Sequence, residues 1–136
     1  MEDFVNDLEK YKFDKQLEKL VKKYKNKKVV IYAAGKFFTA LKTHYDLSKL
    51  NIIAVSDRKF YNQNPEYSEE VGYNIIAPEY INTLHPDIVL ITAVEDFYVE
   101  RYFHEKLFKN TGKKFKYKKI FNEPFSVKLQ KSWNYF

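Results

Sequence analysis

The strongest constraint on this fold is the stretch 28–41, which reads Lys-Val-Val-Ile-Tyr-Ala-Ala-Gly-Lys-Phe-Phe-Thr-Ala-Leu. A short apolar run ends in a turn of small residues, and an amphipathic helical pattern begins directly after Gly35. Parallel α/β sheets use this succession to gather backbone amides at a helix N-terminus, where a phosphate group can bind. The stretch therefore predicts a strand, a turn that forms a ligand site, and a helix.

Composition narrows the class of protein. A chain of 136 residues is long enough to bury one hydrophobic core, and we interpret residues 1–136 as a single domain. It has no cysteine, which excludes disulfides, thiolate metal sites and cysteine nucleophiles. The sequence shows no signal-peptide pattern, and no apolar run reaches the ~20 residues of a membrane span. We therefore expect a cytoplasmic protein without a membrane span.

The net charge of +6 is distributed unevenly along the chain. Residues 1–28 carry a net +3 and residues 109–136 a net +7, whereas residues 29–108 carry a net −4. The lysine–aromatic alternation in 113–119 is typical of proteins that bind single-stranded nucleic acid. A lysine-guarded edge strand explains the same segment, and the positive charge lies away from the turn at Gly35. Nucleic acid is therefore not the expected partner.

Residues 1–26 are predicted to form an N-terminal helical segment. Apolar residues recur at helical spacing over 3–25, with a break near Asp14, which is a suitable N-cap for the second half. Lysines concentrate towards its end, where their positive charges interact favourably with the helix dipole. The segment packs on the sheet or offers a surface to a partner protein, and both interpretations stay open.

Residues 27–121 are interpreted as an α/β core of about five strands. Strands 29–32 and 51–56 flank a helix that runs to about Leu47, which forms one right-handed βαβ unit. Further strands are predicted at 72–76, 87–93 and 116–121, with helices at 78–84 and 97–109 and a loop at 58–72. Asp96 is expected to cap the 97–109 helix and Gly112 to stop it. The simplest arrangement is a doubly wound, Rossmann-like parallel sheet of order 3-2-1-4-5.

Residues 122–136 form an aromatic tail that includes Phe125, Trp133 and Phe136. So apolar a segment is expected to dock on the domain's own core or on a neighbouring subunit. A second copy of the chain is therefore one predicted partner, reached through the N-terminal helix or through this tail.

The turn carries part of a dinucleotide-binding fingerprint. The pattern Gly-x-Gly-x-x-Gly places its glycines where this chain has Ala33, Gly35 and Phe38. Only the central glycine, which lets the backbone approach a phosphate, is present. Asp57 follows Gly35 by 22 residues and ends the second strand, where an acid holds a ribose diol.

Residues after the fourth strand are expected to face this turn. Thr92 can donate to a phosphate or hydroxyl, and Glu95 and Asp96 can accept sugar hydroxyls, although the capping role explains Asp96 better. The predicted ligand-binding residues are Ala33, Ala34, Gly35, Lys36, Phe37, Asp57, Arg58 and Thr92.

No catalytic group is assigned. Tyr102 and Lys106 have the Tyr-x-x-x-Lys spacing of short-chain reductases, but a chain with 12 tyrosines produces such matches by chance. His44, His85 and His104 have no acidic or histidine partner at metal spacing, so no metal site is predicted. The sequence thus predicts a place to bind, and it leaves open whether a reaction is catalysed.

Several strand-end motifs resemble those of a known family. They are the small-small-Gly turn, the strand ending in Asp57, and two segments: Gly-Tyr-Asn-Ile-Ile-Ala-Pro-Glu-Tyr-Ile at 72–81 and Pro-Asp-Ile-Val-Leu-Ile-Thr at 86–92. They are similar to nucleoside-diphosphate-sugar-epimerase-like Rossmann domains of bacterial glycan biosynthesis. Such domains precede sugar acetyltransferases or are attached to polysaccharide methyltransferases. The resemblance covers roughly 27–121.

This resemblance implies a nucleotide-binding module that is accessory to surface polysaccharide biosynthesis. A nucleotide sugar or a dinucleotide would lie over Gly35 with Asp57 at its ribose or base, and a glycan-biosynthesis enzyme would be a partner. The alternative is a non-catalytic interaction or regulatory protein on the same scaffold, with a vestigial ligand site.

Overall fold

Six strands form one mostly parallel sheet in the computed structural model, which describes residues 2–94 and 96–122. The strands are β1 Val29–Tyr32, β2 Ile52–Ser56, β3 Glu66–Ser68, β4 Tyr73–Ile76, β5 Ile88–Ile91 and β6 Tyr117–Lys119. Their order is β3-β4-β2-β1-β5-β6, and β3 is antiparallel to β4. The chain is therefore a mixed α/β protein, and its five parallel strands keep the order predicted from the sequence.

Within the described residues, five α-helices accompany the sheet: α1 Glu2–Lys10, α2 Phe13–Lys23, α3 Lys36–His44, α4 Asp96–Tyr102 and α5 Phe108–Thr111. A π-helical turn, Phe103–Leu107, joins α4 to α5, and 3-10 turns span Arg58–Phe60 and Pro78–Leu84. Gly112 follows α5 with a φ of +68°, the left-handed conformation in which glycine ends helices. The predicted stop at Gly112 is confirmed.

Strand β1 lies at the centre of the hydrophobic core, with all four of its residues buried. Val29 and Ile31 contribute to a cluster that includes side chains of α1, α2 and α3. Val30 and Tyr32 belong to a second cluster, formed with the 3-10 turn at 78–84 and the π-helical turn. Two-sided burial explains why the strand reads as an unbroken apolar run rather than an alternating one.

The N-terminal segment differs from its prediction in where it breaks. The helix ends at Lys10 and resumes at Phe13, because Lys12 adopts a left-handed φ of +55°. Asp14 therefore lies in the first turn of α2, and the prediction that it caps this helix was wrong. The two-residue turn lets Leu8 and Phe13, on different helices, both reach the core at 0% exposure.

The stretch predicted as a loop at 58–72 contains an edge strand. Strand β3 pairs antiparallel with β4, and Tyr67 lies opposite Asn74. Its three residues are exposed or half-buried, so the sequence carries no apolar alternation that would reveal a strand. An antiparallel strand at the edge of a parallel sheet is common in α/β proteins.

Helix α3 is shorter than predicted. It ends at His44 rather than near Leu47, because Tyr45 turns to extended backbone. The Asp46 carboxylate then accepts a hydrogen bond from the Ser48 amide at 2.9 Å, which forms a local turn.

Glu95 and residues 123–136 lie outside the described residues. The prediction that the aromatic tail docks on the core or on a neighbouring subunit concerns this part of the chain and stays a prediction.

Candidate functional site

The turn between β1 and α3 lies at the carboxyl edge of the sheet, where α/β proteins bind ligands. Ala33 has a φ of +91°, which L-residues rarely adopt. This is the position of the first glycine in the dinucleotide fingerprint, so the turn has the conformation that glycine would favour. Holding an alanine in it costs on the order of 1–2 kcal/mol.

Gly35 is the N-cap residue of α3 and has an ordinary φ of −96°. Neither the backbone nor the packing requires a glycine here, because a Cβ at this position would meet no atom within 4 Å. It also caps the helix less well than serine or aspartate would. The effect of glycine is to leave open space in front of the first-turn amides, which have no acceptor within the helix.

Asp57 reaches the turn, as its position at a strand end predicts. Its Oδ2 accepts a hydrogen bond from the Ala34 amide at 2.7 Å, and its Oδ1 accepts from the Lys59 amide at 3.1 Å. The Lys59 ammonium donates to the Ala34 carbonyl at 2.8 Å. One of the amides expected to face a phosphate is therefore already bound by a carboxylate.

Thr92 is also brought to the turn, but as a structural residue. It is 1% exposed, and its hydroxyl lies within hydrogen-bonding distance of the Tyr32 and Ala33 carbonyls. The hydroxyl proton is thus directed at the backbone of the turn rather than at a ligand. Asp96 begins α4 instead of preceding it, so the expected capping position falls at residue 95, outside the described residues.

The remaining predicted site residues divide between solvent and core. Lys36 is exposed at the first position of α3, where its ammonium can reach an anion at the helix N-terminus. Phe37 is 7% exposed and packs in the hydrophobic cluster with Phe38 and Leu41. Only the backbone of Phe37 can therefore serve the site.

Arg58 belongs to a cluster of polar and aromatic groups beside the turn. Its exposed guanidinium lies 4.5 Å from the centre of the Tyr102 ring, and that ring stacks at 6.3 Å on Tyr32. Burial raises the pKa of the Tyr32 phenol well above its usual value, and Tyr102, Asp57 and Glu79 raise it further while Arg58 opposes them. Two carboxylates, one guanidinium and two phenols thus share this edge.

A buried hydroxyl borders the same cluster. Ser56 ends β2 directly beside Tyr32 in the sheet register and is 0% exposed. Its Oγ has no hydrogen-bond partner in the part of the chain that the structure describes. An unsatisfied buried hydroxyl costs about 1–3 kcal/mol, which marks this end of β2 as polar and incompletely satisfied.

Exposed aromatic side chains surround this edge, and the sequence interpretation missed them. Phe97 and Tyr98, in the helix that follows β5, are 63% and 65% exposed. Their ring centroids lie 5.6 Å apart. Tyr61 is 73% exposed and Tyr80 is 36% exposed, after β2 and β4 respectively. The signal was present in the sequence as aromatic residues that closely follow strand ends, where the core cannot use them.

The other candidates do not form a reactive group. All three histidines are exposed, and the His104 Nε2 lies 2.7 Å from the Tyr117 hydroxyl. No group of three or more metal-ligating His, Asp or Glu side chains occurs within residues 2–94 and 96–122. Tyr102 packs on Tyr32 and Phe103, whereas Lys106 is exposed on the π-helical turn.

Fold and site together define an α/β protein whose mostly parallel sheet presents a small-residue turn, a helix N-terminus and exposed aromatic rings at its carboxyl edge. Comparison with family models, curated proteins and solved structures finds no match to this chain. None of the helices within the described residues is both long and apolar enough to cross a membrane.

Proposed function

We propose that the protein is a nucleotide-binding module, with a nucleotide sugar as its ligand and an accessory role in surface glycan biosynthesis. The observation that carries the proposal is Gly35, a glycine that neither its φ nor its neighbours require. Its missing side chain leaves the first-turn amides of α3 accessible to a phosphate, which is how helix N-termini bind nucleotides.

The charges beside the turn support a diphosphate in this position. Lys36 follows Gly35 directly, and the exposed Arg58 guanidinium lies on the adjacent segment after β2. Because Asp57 already binds the Ala34 amide, a phosphate would use the amides of Gly35 and Lys36. Asp57 itself would accept from ribose hydroxyls, since a carboxylate has about four acceptor sites and two are used.

The exposed aromatic rings suit the remaining parts of such a ligand. Phe97 and Tyr98 follow β5, the strand next to β1, and so flank the point where the chain reverses direction across the sheet. A nucleobase or a sugar ring can stack on such faces, and ligand sites characteristically combine aromatic walls with a few polar groups. The proposal therefore assigns phosphate to the turn and a ring to Phe97 and Tyr98.

Thermal denaturation with a ligand panel tests this function. Nucleoside-diphosphate sugars, dinucleotides and coenzyme A are each added to the full chain, and a ligand at a hundredfold excess over its Kd should stabilise the fold by about 2.7 kcal/mol. Gly35→Val should abolish the stabilisation, because its side chain fills the space before the amides. The variant should fold, since the Cβ meets nothing within 4 Å.

Thr39→Ala is the matched control on the same helix. Thr39 is exposed and its hydroxyl donates to the Gly35 carbonyl at 3.2 Å, so its removal leaves the amides of the helix N-terminus open and ligand stabilisation should persist in this variant. If no member of the panel raises the denaturation temperature, or if Gly35→Val is stabilised as much as wild type, the nucleotide proposal is wrong.

A protein-interaction role is the second candidate. The Asp57 carboxylate on the Ala34 amide favours a vestigial anion site, and the exposed Phe97 and Tyr98 would then serve a protein contact. Sedimentation equilibrium over a wide concentration range tests it with the chain alone. Self-association that Phe97→Ser and Tyr98→Ser remove, together with a negative ligand panel, would favour this role over nucleotide binding.

A further inference from the structure

A groove of about 860 Å³ lies at the opposite, amino edge of the sheet. It is bordered by the end of α2, by the connection that leads to β1, and by the segment that precedes β2. Its volume is within the range of small-molecule sites. No residue of the proposed nucleotide site lines it, so the two regions are separate.

Three ammonium groups line this groove. Lys22 belongs to the last turn of α2, Lys25 follows the helix, and Lys49 lies on the segment before β2. No carboxylate is among the lining residues, and within the described part of the chain none of the three forms a salt bridge. Asp46, on the segment before Lys49, accepts a hydrogen bond from the Ser48 amide, and hydrogen bonds from Ser48 lower its pKa, with a smaller electrostatic effect of Lys49.

Helix stabilisation explains only part of this charge. Lysines in the last turn of a helix interact favourably with the helix dipole, and this explains the presence of Lys22. Lys25 lies beyond the helix C-cap at Tyr24, and Lys49 comes from a different segment. Three like charges gathered from three segments around one concavity repel one another unless an anion neutralises them.

The floor of the groove is apolar and its wall carries amides. Leu50 is buried, and half-buried Ile52 and Tyr73 supply an aliphatic and an aromatic surface. Asn26 and Asn51 are exposed on the wall, where their side-chain amides can donate or accept hydrogen bonds. A ligand for this groove therefore needs an anionic group and a ring or hydrocarbon body.

We infer that the groove binds a phosphorylated small molecule, a phosphate ester whose organic part packs on Tyr73 and Ile52. The lysines bind the phosphate, and Asn26 and Asn51 orient the ester. The groove offers a single, half-buried aromatic ring, Tyr73, whereas a nucleic-acid strand stacks its successive bases on several aromatic side chains. A compact ester therefore fits better than a nucleic-acid strand.

Amide chemical shifts of the full chain, titrated with phenyl phosphate, test the inference. Saturable shifts should appear within 21–26 and 49–52 and be absent at Ala34 and Gly35, which separates this site from the nucleotide site. Inorganic phosphate and benzyl alcohol, which each present one half of the probe, should bind at least about tenfold more weakly. Equal affinity for inorganic phosphate would overturn the role of the apolar floor and with it the inference.

Charge variants complete the experiment. Lys22→Gln, Lys25→Gln and Lys49→Gln combined should weaken phenyl phosphate binding by at least about tenfold, since an exposed ion pair contributes up to about fivefold. The arginine triple at the same positions should retain binding. The matched control is Lys106→Gln, Lys109→Gln and Lys114→Gln, which removes the same charge from exposed lysines outside the groove. Equal losses in both glutamine triples, or affinity for oligonucleotides that rises with their length, would show a general polyanion surface and overturn the site.

Discussion

The two edges of this sheet differ in whether their charged side chains bind other groups of the protein. At the carboxyl edge, side chains of Asp57, Lys59 and Thr92 all bind the backbone of the turn between β1 and α3. At the amino edge, Lys22, Lys25 and Lys49 line a groove, and no Asp or Glu side chain is among its lining residues. The polar groups of the turn bind one another, with the buried Ser56 Oγ as the exception, whereas the three lysine charges at the other edge are not paired in salt bridges within the described residues.

This difference distinguishes residues that stabilise the fold from residues whose side chains are available to a ligand. The turn stores strain at Ala33, and strained backbone persists only where its surroundings determine it. The surrounding hydrogen bonds supply that constraint. Substitutions at the carboxyl edge should therefore change stability, whereas substitutions of the lysines at the amino edge should change binding alone.

The largest effect is expected for Asp57→Ala. The variant loses the acceptor of the Ala34 amide and the cap of the 3-10 turn at 58–60. Hydrogen bonds to a charged group contribute about 1.5–3 kcal/mol, so we expect the free energy of unfolding to fall by about 2 kcal/mol, with Asp57 half-buried. Urea denaturation at pH 7 measures it.

Asp46→Ala is the corresponding change at the amino edge. Asp46 also accepts a backbone hydrogen bond, from Ser48, but it is exposed on the segment after α3. Its loss should shift the urea midpoint much less than Asp57→Ala. If both variants lose equal stability, the carboxyl edge has no special role in holding the turn.

A smaller effect is expected from the ionisation of Tyr32. Burial holds its pKa well above the usual value of about 10, so the folded protein keeps the proton that the unfolded chain releases. The stability it contributes is fully present below pH 10 and is lost as pH rises further. At pH 10.5 the loss is about 0.8 kcal/mol.

Comparison with Tyr32→Phe isolates this contribution. The free energy of unfolding of wild type should fall more steeply between pH 8 and pH 10.5 than that of the variant, by the same ~0.8 kcal/mol. Their difference between pH 7 and pH 8 should stay constant. Parallel curves over the whole range would place the phenol in water in the folded protein, which contradicts its 3% exposure.

The sequence predicts this fold well where burial imposes a pattern. β1 and β5 read as apolar runs because both of their faces are covered, and Gly112 reads as a stop because its backbone must turn left-handed. β3 gives no such signal, since its exposed residues neither pack nor alternate. The break at Lys12 is hidden for a similar reason, because a left-handed lysine has no recognisable sequence signature.

The sequence predicts where side chains of the candidate site lie, but not which groups they bind. Strand ends converge in a parallel sheet, so the sequence correctly places Asp57 and Thr92 beside the turn. It cannot show that both side chains bind the backbone, because hydrogen-bond partners depend on distances of tenths of an ångström. In the sequence, the exposed Phe97 differs from core aromatics such as Phe103 by following a strand end closely, a signal that the sequence interpretation did not use.

The smallest predicted effect, and the sharpest test of the strained turn, is Ala33→Gly. Glycine relieves the left-handed strain of about 1–2 kcal/mol but loses about 0.4–1 kcal/mol through the greater freedom of the unfolded chain. We therefore expect a net gain of roughly 0.5 kcal/mol in urea denaturation. Ala34→Gly, at a neighbour without a positive φ, should instead lose roughly 0.5–1 kcal/mol. Both substitutions remove a half-buried methyl group that packs on the core, so a gain at Ala33 with a loss at Ala34 would identify relief of backbone strain, and two losses would show that this strain is smaller than the packing that the methyl group contributes.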